Sequence, residues 1–258
     1  MSVIRRRRLR TRLRDERGFT LIETLVAMVT GIAVMGGLFA VLEVSLHQST
    51  RIADVVQATQ LGRQAMTHIV DELHSSCIAQ NFTPIQAESS ATKLIFVTGY
   101  SEKAELAEAH KDEIVFNPEA QTLTDNVFNS SGGAYPEFTF SKAPNTSVLI
   151  AKNITQSTEG TETLKKVPVF SYYEYAVTPP NNETRSAASS TLVERPLPKT
   201  GSFTAEEAKK IASVQVSFRA GPTSGSGDVT RKADLSSQAT FAFSAPSSEA
   251  TIEAAPCE

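Results

Sequence analysis

From Phe19 to Leu46 the chain reads FTLIETLVAMVTGIAVMGGLFAVLEVSL, an unbroken apolar stretch of about 28 residues, whereas a helix needs only about 20 to cross a bilayer. Such a segment predicts a membrane-spanning helix or a long export signal. Its only charges are Glu23 and Glu43. Immediately upstream, Arg5, Arg6, Arg7, Arg8, Arg10, Arg12, Arg14 and Arg17 outweigh Asp15 and Glu16 and give residues 1–18 a net charge of +6. The whole chain carries −3, so the remainder carries −9. Basic residues flanking an apolar helix stay on the cytoplasmic side. The expected topology is therefore a single pass of the cytoplasmic membrane, with the N-terminus inside and an acidic body outside. In this position the arginines read as a topology signal rather than a nucleic-acid site, and no direct nucleic acid binding is inferred.

A cleavable secretory signal has an apolar core of about 7 to 15 residues and a small-x-small cleavage site. The segment here is longer, carries a carboxylate near its start and has no clean A-x-A stop. A plain signal anchor accommodates the length. It does not account for Glu23, because a charge at mid-bilayer costs roughly 2.5 to 3.5 kcal/mol on insertion scales, and less near an interface.

The run Arg17-Gly18-Phe19-Thr20-Leu21-Ile22-Glu23, followed by Thr24-Leu25-Val26-Ala27-Met28, resembles the leader of type IV pilins and of type II secretion pseudopilins. The resemblance rests on a basic leader, a Gly-Phe junction, a glutamate shortly after it and an uninterrupted apolar helix. It implies that a prepilin peptidase cuts between Gly18 and Phe19 and methylates the new amine of Phe19. It further implies assembly through Glu23 with other pilin or pseudopilin subunits on an inner-membrane assembly platform, in a type IV pilus or a type II secretion-like filament.

The residues give physical reasons for these roles. Glycine lets another backbone approach closely, so Gly18 leaves the scissile bond uncrowded. A carboxylate in an apolar bundle must be paired or protonated, and an α-amine is a suitable cation. In the family that amine belongs to a neighbouring subunit, so Glu23 would also select register. The alternative is a carboxylate that snorkels to the headgroups.

Beyond the apolar segment, Ile52, Val55, Thr59, Gly62, Met66, Ile69, Leu73 and Ser76 recur at three- and four-residue spacing, flanked by Val56 and Val70, which predicts an amphipathic continuation of the helix. A helix from Phe19 to Ser76 would be about 87 Å long at 1.5 Å per residue. No proline interrupts the apolar half, and Gly31, Gly36 and Gly37 are its small positions, read as sites of local unwinding or of close helix packing. The expected domains are a leader (1–18), a transmembrane half-helix (19–46), an amphipathic half-helix (47–77) and a β-rich extracytoplasmic head (78–258). The fold class is thus α+β, with a long N-terminal helix and an antiparallel head, the lollipop outline of pilins.

In the head, Lys93–Thr98, Glu113–Asn117, Gln121–Phe128, Glu137–Ser141, Ser147–Ile154 and Val167–Ala176 read as strands of an antiparallel meander, bounded by Pro118, Gly132, Gly133, Pro144 and Gly160. EIVFN with TLTDNVF, and SVLIAKNI with VFSYYEYAV, resemble more weakly the sheet of larger minor pilins. Thr178–Thr200 has loop composition. Thr204 and Glu207 have capping-box spacing ahead of a short helix through Ile211. Ser213–Arg219 and Ala239–Ser244 read as further strands, separated by a flexible Gly221–Gly227 turn.

The two cysteines, Cys77 and Cys257, fall on the side of the membrane where disulfides persist. A bridge between them would close a loop worth about 5 kcal/mol at most in the chain-entropy treatment; free thiols and pairing between subunits are the alternatives. Two cysteines this far apart make no zinc site. His68 and His74 lie near Asp71 and Glu72, but with His47 and His110 they form no H-E-x-x-H pattern, and a solvated helix face is the ordinary account. There is no G-x-S-x-G elbow, phosphate loop or dinucleotide fingerprint, and the sequon Asn153-Ile154-Thr155 is assigned nothing. The reading is a structural pilin-like subunit without catalysis, cofactor or metal. The bulk of the head favours a minor subunit, and the retained Glu23 separates it from the tip-capping pseudopilin. The alternative is a single-pass, membrane-anchored outer domain, an adhesin or sensor, that joins no filament.

Overall fold

In the computed structural model the described residues are 19–76, 84–98, 109–134, 137–159, 165–175, 192–198, 201–224 and 229–240. Gly18, Cys77 and Cys257 lie outside them, as do the leader, 178–191 and 199–200 of the expected loop and 241–244 of the last expected strand. The chain divides into two compact units between Thr50 and Arg51. One helix, α1 (Leu21–Ser75), supplies the regular structure of the first unit and the opening element of the second.

In the second unit α1 turns Ala58, Gly62, Ala65, Met66, Ile69 and Leu73 inward. The expected stripe is correct in its later half and drifts at its start, where Ile52 and Val56 are exposed. The buried face runs instead through Ala58 and Ala65, whose size lets the helix lie close to the sheets.

Strands β1 (Lys93–Thr98), β2 (His110–Asn117), β3 (Thr122–Ala134), β4 (Glu137–Phe140) and β5 (Thr146–Lys152) form the first sheet. β1, β2 and β3 are consecutive antiparallel neighbours, and β4 and β5 both pair with β3. The β2–β3 hairpin pairs EIVFN with TLTDN as expected, Ile114 lying opposite Asp125. Its turn is shaped by Asn117, whose Oδ1 accepts the amides of Glu119 and Ala120, each at 3.0 Å. Gly132 and Gly133 do not end β3. They sit inside it with φ of 150° and 88°, where the register to β4 shifts between Ser130 and Gly132, a bulge that glycine permits.

The expected strand Ser147–Ile154 breaks at Asn153, which has a φ of 57°. Beyond it, β6 (Ile154–Thr155) leaves β5's sheet and pairs with another. β7 (Thr158–Glu159) and β8 (Lys165–Lys166) form a small ribbon. β9 (Phe170–Tyr175) begins later than expected, after Pro168, which has no amide to donate. β10 (Leu192–Arg195) lies within the expected loop. The short helix α2 (Ala205–Ala208) has its capping box in place at Thr204 and Glu207. It ends before Ile211, because Lys210 and Ile211 donate to carbonyls only three residues back and Ile211 enters the core. β11 (Ser213–Ala220) and β12 (Ala233–Thr240) complete the set.

The second sheet has the order β10-β9-β11-β12, with β6 also on β11. The head is therefore two five-stranded antiparallel sheets rather than one meander, and SVLIAKNI is not a partner of VFSYYEYAV: β5 pairs with β3, and β9 with β10 and β11. One core joins them to α1, including Ile69, Leu73, Phe96, Ile114, Phe170 and Phe218. Tyr172 is buried there edge-on to Phe203, at 4.9 Å between ring centroids. Its hydroxyl donates to the Ser90 carbonyl at 2.9 Å, which satisfies the polar group that burial would otherwise penalise.

Candidate functional site

The N-terminal end of α1 is built by Thr20. Its carbonyl accepts the amides of Glu23 at 3.0 Å and Thr24 at 3.2 Å, and its hydroxyl accepts the Glu23 amide at 3.3 Å. Thr20 thus serves the otherwise unpaired amides of the first turn. The spacing Thr20-x-x-Glu23 is that of a capping box, a signal the sequence reading passes over. Glu23 gains a local role from it, since a negative charge in the first turn complements the helix dipole. Phe19 stands just outside the helix, 79% exposed.

From Leu21 to Thr50 every residue of α1 is exposed, including Ile22, Met28, Ile32, Leu38 and Phe39. The polar side chains of this stretch largely satisfy themselves. Thr24 donates to the Leu21 carbonyl at 2.9 Å and Thr30 to the Val26 carbonyl at 2.9 Å, and His47 meets the Glu43 carbonyl at 3.0 Å. Internal hydrogen bonding of this kind is what an apolar medium requires. By length and composition α1 can cross a membrane. Glu23 and Glu43 are separated by about 30 Å along the axis, the thickness of a bilayer's hydrocarbon core. Between them Met28, Gly31, Ile32, Met35, Gly36 and Phe39 line a shallow apolar groove on one face. A Cβ added at Gly31, Gly36 or Gly37 would meet nothing within 4 Å, which leaves room for a close neighbour.

The histidines and acids singled out in the sequence separate. Asp71 and His74 are exposed. His68 turns toward the first sheet, its Nε2 lying 3.5 Å from Asp125 Oδ2. Asp125 of β3 and Asp112 of β2 are both buried, and Asp112 Oδ2 accepts the Thr98 hydroxyl at 2.7 Å. Burial pushes the Asp112 carboxyl up to about 6 and raises that of Asp125, with His68 opposing the latter. Asp112 and Asp125 are absent from the sequence reading, although period-2 counting back from Phe116 and Ile114 reaches the first, and counting forward from Leu123 reaches the second. Among the described residues no group of three His, Cys, Asp or Glu could hold a metal ion. Asn153 gives its side-chain amide to the Pro222 carbonyl at 2.9 Å.

The family model of the prokaryotic N-terminal methylation motif matches residues 13–39. No curated protein and no solved structure matches the chain. The matched stretch contains the Gly18-Phe19 junction, the Thr20 cap, Glu23 and the exposed apolar helix through Phe39. The motif supports a type IV pilin-like family and a pilin-type precursor processed by prepilin peptidase.

Proposed function

We infer, from a chain whose N-terminus is that of the type IV pilin-like family, that it is a minor pilin or pseudopilin: a structural subunit, without catalysis of its own, assembled through α1 into a type IV pilus or type II secretion-like filament. The observation that carries this reading is the exposed helix led by Phe19-x-x-x-Glu23 within the matched motif. Prepilin peptidase cuts after Gly18 on the cytoplasmic side and methylates Phe19, while the arginines hold the leader inside and the head is carried outside. The partners are other pilin-like subunits and the inner-membrane assembly platform.

Before assembly Glu23 rests at the cytoplasmic interface, about 30 Å along α1 from Glu43, where water and headgroups reach it. On entering a filament it loses that solvation and takes the amine of a neighbour's Phe19 in exchange. The groove between Met28 and Phe39 receives a neighbouring helix, its glycines allowing close approach.

The separation of Glu23 from Glu43 also suits a second reading, a plain membrane anchor for a binding head. Glu23→Gln decides between them. It keeps shape and hydrogen-bonding capacity and removes the charge, so insertion and leader cleavage are expected to persist. Crosslinking to other pilin-like subunits is expected to fall at least tenfold, the factor for losing about 1.4 kcal/mol of pairing. Wild-type crosslinking in the variant would favour the anchored domain.

A further inference from the structure

The buried acids of the head lie together under α1, away from the N-terminal motif. Asp112 and Asp125 occupy the inward face of neighbouring strands, Asp112 opposite Val127 and Asp125 opposite Ile114, and each is only 4% exposed. One oxygen of each is engaged, Asp112 Oδ2 by Thr98 at 2.7 Å and Asp125 Oδ2 near His68 Nε2 at 3.5 Å. Asp125 Oδ1 is buried with no hydrogen-bond partner among the described residues. Among the described residues, the charged and titratable groups facing this pair are His68 and Glu72 of α1 and His110 of β2, while β1 offers the neutral hydroxyl of Thr98. Three carboxyl groups thus confront two imidazoles, which carry positive charge only when protonated. At neutral pH the cluster holds surplus negative charge, two of its carboxylates being cut off from water.

We propose that this cluster is a proton-operated latch, which tightens the packing of β1, β2 and β3 beneath His68 of α1 when the surroundings of the head turn acidic. The proton comes from solvent, adds to a carboxylate oxygen and returns to solvent as pH rises; no other bond changes. Asp112 takes it, and Asp125 keeps His68, whose Nε2 lies 3.5 Å from its Oδ2. Burial is the main cause that lifts Asp112 from 3.8 to about 6; the Thr98 hydrogen bond opposes it, Asp125 and Glu72 add to it, and His110 opposes it. A carboxyl whose folded pKa lies above its unfolded value binds more protons when folded. Its stabilisation is complete below 3.8 and is lost as pH rises through about 6. The aspartates titrate as a coupled set, so the transition belongs to the cluster.

The test uses the full chain in detergent micelles, its thermal unfolding followed by near-ultraviolet circular dichroism of the head tyrosines. The midpoint is expected to rise by about 5 °C from pH 7.5 to pH 5. Asp112→Asn should match or exceed the wild type at pH 7.5 and lose more than half of the rise, while Asp71→Asn, on the exposed side of the same helix, keeps it. A flat wild-type profile, or an undiminished rise in Asp112→Asn, would overturn the latch. Carboxyl-carbon NMR of the wild type provides a reading independent of any variant. A midpoint for Asp112 near 6 supports the proposal, and one near 4 overturns it.

Discussion

At the scale of single residues, Gly62 fixes how closely α1 meets the second sheet. A Cβ at this position would stand 2.1 Å from Leu235 Cδ1 and 2.9 Å from Ala220 Cβ. The leucine end can swing aside, but the Ala220 methyl is attached directly to the backbone of β11 and can retreat only with it. Gly62→Ala is therefore expected to cost about 1 to 3 kcal/mol through overpacking, against a gain of about 1 kcal/mol in helix propensity. Denaturant unfolding of the full chain measures the balance, and a more stable variant would show that the strand yields. The sequence places Gly62 correctly on the buried stripe but is silent on the reason, because a contact this close depends on a strand about 160 residues away in the chain. The two aspartates are a different case. Their inward parity was readable from Ile114, Phe116 and Leu123; what concealed them is the ordinary expectation that a carboxylate in a strand faces water.

At the scale of elements, Asn153 divides one apolar run between two sheets. SVLIAKNI reads as one strand because its composition is continuous, yet the left-handed backbone at Asn153 turns Ile154 away from β3's ladder and sets it opposite Ala220. The corner is held by the Asn153 amide on the Pro222 carbonyl and by the Gly221 amide on the Asn153 carbonyl, both at 2.9 Å. A β-branched residue has no comfortable place at that φ. Asn153→Val is expected to destabilise the head by about 2 to 4 kcal/mol through strain and the lost hydrogen bond. Asn153→Gly should cost less than half as much, since it keeps the turn and loses only the bond to Pro222. Equal losses on denaturant unfolding would place the value of Asn153 in its side chain rather than its backbone. Elements held by local chemistry were legible in advance: β1 to the residue, the Asn117 turn's hairpin and the Thr204 cap. β10 was not, because LVER lies in loop composition and becomes a strand only through its pairing with β9, a non-local contact that no short window contains.

At the scale of the whole molecule, the charge pattern and the two cysteines make predictions about covalent state that mass spectrometry can read. The leader holds +6 of charge in 18 residues while the rest of the chain holds −9, an asymmetry that suits the proposed orientation with the leader held inside. The proposed cut after Gly18 would discard that end and create the Phe19 amine that Glu23 is proposed to meet. The Thr20 cap is untouched by the cut, so α1 keeps its first turn with the new terminus only one residue before it. Protein purified without reductant from a host with a prepilin peptidase is expected to lack residues 1–18 and to carry one methyl group on Phe19. If Cys77 and Cys257 form the staple inferred from topology, alkylation under denaturing conditions should add mass only after reduction, and the peptide map should join the two cysteine peptides within one chain. An uncut leader on the assembled protein would remove the basis of the filament reading. Full alkylation without reduction would remove the staple alone, because the docking of α1 on the two sheets is carried by buried residues such as Met66, Ile69 and Leu73.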